Sequence, residues 1–192
     1  MENIRNKLKI SNSAIQGLSY YILSFFIFSF LGWIIETIFC YIVLGELVKR
    51  GFLYTCICPI YGIGALTLIY YLDRKKNIKL NYFKLFIQFT IIFSFFEYLV
   101  GFILDALFAS TWWDYSTSTF NLNGRITVLN SFFWGVMTLL FTAIIYPLSK
   151  KFKFKLLSKI PLHFQIIICL VLCGELIIDL ILSCIKYLTQ IH

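Results

Sequence analysis

Three glutamates stand inside otherwise apolar runs: Glu36 in FSFLGWIIETIF, Glu97 in FSFFEYLVGF and Glu175 in VLCGELIIDL. Asp105 and Asp179 follow on the second and third of these runs. An ionised group is costly in hydrocarbon, so such residues are read first as sites that bind a cation, a proton or a polar solute. At helical spacing Glu97, Gly101 and Asp105 form one stripe, and Glu175, Asp179 and Ser183 form another. Gly32 precedes Glu36 by four residues and shares its face. Small residues let helices approach closely, so these faces are expected to point into a bundle. Two arginines, Arg50 and Arg125, stand at the openings of other apolar runs. Each can snorkel to head groups, or reach Asp105 or Asp179 as a counter-ion.

The same acids admit other chemistry. A Glu/Asp pair can serve as general acid and base in a membrane-embedded enzyme acting on a lipid-like substrate. Buried acids can also be purely structural, locking a bundle through ion pairs or backbone hydrogen bonds, as in a scaffold that transports nothing. No activated nucleophile or cofactor motif accompanies them. The six cysteines (Cys40, Cys56, Cys58, Cys169, Cys173 and Cys184) lie in apolar segments, where cysteine behaves as a small hydrophobe. They lack the paired spacing of a zinc site, so neither metal nor cofactor is expected.

What must position these residues follows from composition. The 192 residues are 60% hydrophobic and only 14% charged, against about a quarter charged in soluble domains. Mean hydropathy is +0.85, so lipid must be the solvent for much of the chain. Five apolar runs, about 20–44, 51–72, 82–108, 126–148 and 162–188, each reach the ~20 residues a helix needs to cross the hydrocarbon core. Backbone in lipid must satisfy itself, so the expected fold is a single all-α, polytopic membrane domain of five transmembrane helices. The segment 51–72 is read as one helix bent at Pro59. No cleavable signal is evident, and the first run reads as a retained anchor.

The net charge of +8 fits topology rather than nucleic acid. Thirteen Lys and Arg fall in the N-terminal tail and the second and fourth loops, against four on the other side. The positive-inside rule gives an inside N-terminus and an outside C-terminus, in a bacterial-type cell membrane. Counted from the inner ends, Glu36, Glu97 and Glu175 are 16, 15 and 13 residues deep, which places their carboxyls within roughly 5 Å of one level. The long outer loop, STWWDYSTSTFNLNG, carries Trp112, Trp113, Asp114, Tyr115 and Asn123. Its aromatic rings suit an interfacial belt. The sharper reading makes Trp113, Asp114, Tyr115 and Asn123 a gate over an outer mouth. The basic fourth loop suits anionic head groups or a cytosolic subunit.

A faint repeat is also visible. Helices 1–2 give Glu36, Arg50, Gly62 and Gly64, and helices 3–4 give Glu97, Arg125 and Gly135, with acid-to-arginine gaps of 14 and 28. If genuine it is a parallel repeat.

Six elements occur in a characteristic order: FSFLGWIIE (28–36), RGFL (50–53), PIYGIGA (59–65), WWDYS (112–116), NLNGRI (121–126) and SFFWG (131–135). As a set they resemble the ABC-transporter type IV (CmpB-like) permease family over about residues 24–148. Where that pattern has Gly-Pro between RGFL and PIYG, this chain has Thr55 and Cys56. The resemblance implies a membrane subunit of a transporter. The chain has no G-x-x-x-x-G-K-[ST] phosphate loop, so an ABC role implies a separate cytosolic ATPase partner. Five spans are few for a complete path, which points to a homo-oligomer.

Overall fold

The computed structural model describes residues 2–75, 79–155 and 157–190. Lys76, counted above in the second loop, lies outside them. The chain forms α1 (Glu2–Leu44), α2 (Pro59–Lys75), α3 (Tyr82–Phe108), a two-stranded ribbon of β1 (Asn121–Leu122) and β2 (Ile126–Thr127), α4 (Val128–Leu140), a π-turn (Phe141–Ile145), α5 (Tyr146–Lys155), a 3-10 turn (Leu157–Lys159) and α6 (Leu162–Thr189). Among the described residues, four helical segments are long and apolar enough to cross a membrane: Asn12–Ile42, Tyr82–Phe108, Val128–Phe152 and Leu162–Thr189.

The second apolar run departs from the expectation of five such helices. It is not helical from residue 51. Gly45, at φ +74°, donates its N–H to Tyr41 O and ends α1, and the chain then runs irregularly until α2 begins at Pro59. Proline fits that first helical position, where no N–H is needed. Proline therefore starts this helix rather than bending it. With 17 residues α2 is about 25 Å long, short of the ~30 Å hydrocarbon core. Apolar composition alone did not separate helix from irregular chain here. The irregular stretch is tied down from elsewhere, with Leu53 only 1% exposed and the Cys58 N–H donating to Ser29 O at 3.0 Å.

Other boundaries shift for identifiable reasons. α1 begins at Glu2 rather than near residue 20, so the basic N-terminal segment is part of the helix. α3 occupies Tyr82–Phe108 as expected, with the Asn81 side chain accepting from the Lys84 N–H at its start. The fourth run continues through the π-turn into α5. Pro147 lacks the N–H that an α-helix would direct at Ala143 O, and its ring crowds that carbonyl, so the chain widens just before it. The β1–β2 ribbon was not foreseen within the outer loop. Its register pairs Asn121 with Thr127 and Leu122 with Ile126. Asn123 and Gly124, at φ +51° and +66°, make the turn, and Asn-Gly is a strong hairpin signal.

Contacts divide the described residues into two compact units. One holds residues up to Leu66 with Pro147–Leu180, and the other Thr67–Tyr146 with residues from Ile181 on. In the first, Gly62 of α2 lies against Phe25 and Ser29 of α1, and Gly32 against the Tyr61 ring. Tyr20, fully buried, donates to Ser149 Oγ at 3.2 Å. Gln165 Nε2 donates to Leu157 O and Ile160 O, fixing the 3-10 turn. In the second, Leu68, Leu85, Phe89 and Phe93 form a core with Tyr71 and Trp134 packed on it. Gly135 of α4 lies against Phe86 and Thr90 of α3. Tyr146 closes this unit with a 2.6 Å hydrogen bond to Asp73.

At both Gly62 and Gly135 an added Cβ would collide with the facing side chains, whereas Gly174 has nothing within 4 Å. Gly62→Ala and Gly135→Ala should therefore each destabilise by about 1–3 kcal/mol. Gly174→Ala should be neutral or slightly stabilising, and thermal unfolding in detergent checks all three.

Candidate functional site

The charged residues singled out above divide between the units. Glu36, Arg50, Glu175 and Asp179 belong to the first, and Glu97, Asp105 and Arg125 to the second.

In the second unit, Glu97 sits 15 residues into α3 and is 7% exposed. Trp134 of α4 donates its indole N–H to Glu97 Oε2 at 2.8 Å, and Tyr115 donates its hydroxyl to Oε1 at 3.3 Å. Two donors satisfy a carboxylate that burial would otherwise penalise. Two turns further on, Arg125 meets Asp105 at 2.6 Å and lies over the rings of Tyr98 and Phe102. Arg125 thus takes the counter-ion role open to it and does not snorkel away.

The outer loop lies along α3 to reach these acids. Trp113 packs over Gly101 and donates to Arg125 O at 2.9 Å. Asp114 accepts the Ser116 N–H and hydroxyl, a local turn that presents Tyr115. Tyr115 N–H donates to Gly124 O, and Asn123 reaches the Tyr98 hydroxyl at 3.0 Å. Glu97 lies 11 residues, about 16 Å, before the end of α3, a distance covered by the loop and the Tyr115 side chain together. An interfacial belt alone does not describe it. A cavity of about 50 Å³ remains between loop and helix, bordered by Asp105, Trp112, Trp113, Asp114, Asn123 and Arg125. It has room for one or two waters.

In the first unit, Asp179 of α6 is 5% exposed, but its partner is not an arginine. It accepts the successive N–H groups of Tyr54 and Thr55, each at 2.8 Å, and the Thr55 hydroxyl. A carboxylate on consecutive amides holds an irregular backbone that has no ladder of its own. Glu36 is half-buried, with Cys58 near it. Arg50 is close enough to act on Cys40 and Cys58, as Glu36 does, and its Nε is buried without a hydrogen-bond partner. Glu175 is exposed on α6, unlike Asp179 and Ser183 on the same expected stripe. Successive residues four apart drift by about 40° around a helix, so one stripe need not share one environment.

Sequence reading missed Trp134, Cys58 and the Tyr54–Thr55 amides. Trp134 was visible as an indole N–H inside an apolar run, which needs a partner when buried. Backbone amides carry no such mark. Among the described residues no three His, Cys, Asp or Glu side chains gather as a metal-holding group.

Long apolar helices carrying carboxylates satisfied from within the chain define an α-helical membrane protein. The family model described as "Putative ABC-transporter type IV" matches residues 23–184, and the chain belongs to that family. Its membership and its apolar helices are consistent with a membrane transport protein. No match was found among curated proteins or among solved structures.

Arg125→Ala should leave Asp105 without its partner at a partly buried site. The expected cost is about 2 kcal/mol, read as a thermal midpoint lower by several degrees. Asp105→Ala, Arg125→Ala combined should recover part of that loss, which a double-mutant cycle measures.

Proposed function

We propose that this chain is the membrane subunit of an ABC-type transporter, with intramembrane carboxylates in its solute or ion path. The observation that carries this reading is the join between the outer loop and a carboxylate inside a spanning helix. Tyr115 and Trp134 hold Glu97 where a mobile or replaceable donor would open it. Trp113, Asp114 and Asn123 brace the loop and so act as gate residues. Glu36, Asp105, Asp179, Glu175, Arg50 and Arg125 complete the polar set.

In this reading the chain lies in the cell membrane with its N-terminus inside and its C-terminus outside. The irregular segment 45–58 and α2 together make the second of five crossings. Irregular backbone is tolerated at that depth where protein groups satisfy it, as Asp179 does for Tyr54 and Thr55. Energy would come from a separate ATPase docked on the basic inner loops, and a homo-oligomer would complete the path.

Glu97→Gln in proteoliposomes should remove most solute flux while leaving the fold intact, and an ATPase should co-purify in mild detergent. Wild-type flux in the variant, with no ATPase recovered, would sink the proposal. Orientation is checked separately with a membrane-impermeant amine reagent on intact cells: Lys49 and Lys186 should react, and Lys79 and Lys151 should not.

A further inference from the structure

We infer that the chain is a tandem pair of one carboxylate-bearing hairpin, in which Glu36 is the first copy's counterpart of Glu97 and is the more accessible carboxyl of the two. Its place in transport rests on the reading above; the equivalence of the two copies does not.

The equivalence comes from spacing and contacts together. A shift of 61 residues carries Phe25 to Phe86, Ser29 to Thr90, Glu36 to Glu97, Tyr54 to Tyr115 and Thr55 to Ser116. A shift of 73 then carries Tyr61 to Trp134 and Gly62 to Gly135. The contacts follow the same correspondence. Gly62 faces Phe25 and Ser29, and Gly135 faces Phe86 and Thr90. The hydroxyls of Ser29 and Thr90 are both buried there without a hydrogen-bond partner. Thr55 places its N–H and its hydroxyl on one carboxylate, that of Asp179, and Ser116 places its own pair on Asp114. The difference between the shifts, 73 against 61, is an insertion of 12 residues in the second copy's loop. The β1–β2 ribbon and Arg125 fall in that region, whereas Arg50 precedes Tyr54, so in this register the two arginines are not counterparts.

The two carboxyls are finished differently. Glu97 is 7% exposed and takes an indole N–H and a phenol O–H. In the first copy Tyr54 is 53% exposed with Lys49 over its ring, and Tyr61 packs on Gly32. Glu36 is half-buried, and a side chain near it that could donate is the Cys58 thiol, a weak donor. The ionisable groups bearing on the same locus are Arg50 and Cys58 from the 45–58 segment and Cys40 from the next turn of α1. Glu36 thus has spare hydrogen-bonding capacity and a route of approach, and Glu97 has neither until its donors move.

Labelling of the full-length protein in detergent with dicyclohexylcarbodiimide tests this. An accessible carboxyl oxygen bonds to the reagent's central carbon as one of its C=N double bonds becomes single, and the carboxyl proton passes to that nitrogen. Peptide mass spectrometry, normalised to the exposed Glu175, should find Glu36 labelled and Glu97 protected. Tyr115→Phe should raise Glu97 labelling by about tenfold, the loss of one hydrogen bond, and Trp134→Phe should act in the same direction. Glu97 labelled as readily as Glu36 in the unmodified protein, or an inert Glu36, overturns the inference. Neither result depends on flux, so the transport reading can fail while this one stands.

Discussion

A carboxylate buried in an apolar helix must find its hydrogen-bond donors within the protein, and much of the chain's irregular structure follows from that. Two consecutive amides of the 45–58 segment meet Asp179. The outer loop runs along α3 to bring a phenol to Glu97 and a guanidinium to Asp105. Each of these loops is held by an acid, and each acid is tolerated because of its loop. An apolar residue at position 179 would leave two amides and a threonine hydroxyl without that acceptor.

The glycine crossings are the second constraint. Gly62 and Gly135 bring helices to a separation that admits no side chain, and facing hydroxyls sit against them. Close approach at these points sets where the following helix begins relative to its acid. The distance from each acid to its tyrosine is 18 residues in both hairpins, so the loops start alike and diverge only afterwards.

Much of this was legible in the sequence. The ends of α3 and α6 follow from where apolar runs meet polar residues, and the Arg125–Asp105 pair was one of the partnerships that charge and position allowed. The start of α2 was not legible, because GFLYTCIC is as apolar as a helix and is held open by tertiary bonds to Ser29 and Asp179. The exposure of Glu175 was hidden for a different reason. Its four-residue spacing from Asp179 fixes only an angle on the helix, and which arc is covered depends on neighbours that periodicity does not name. Trp134 was visible as a residue but not as a partner, since its indole can pack or donate equally well until the fold sets what it faces.

The unbroken course of α1 has a mechanical meaning. Its 43 residues measure about 65 Å, roughly twice the thickness of the hydrocarbon core. Its apolar run begins only near residue 20, so the polar, basic amino-terminal part of the helix lies outside that run. A helix of that kind is a stiff rod with Glu36 on its shaft. A push or twist applied to the protruding end travels to the carboxyl as whole-body displacement, with no flexible joint in between to absorb it.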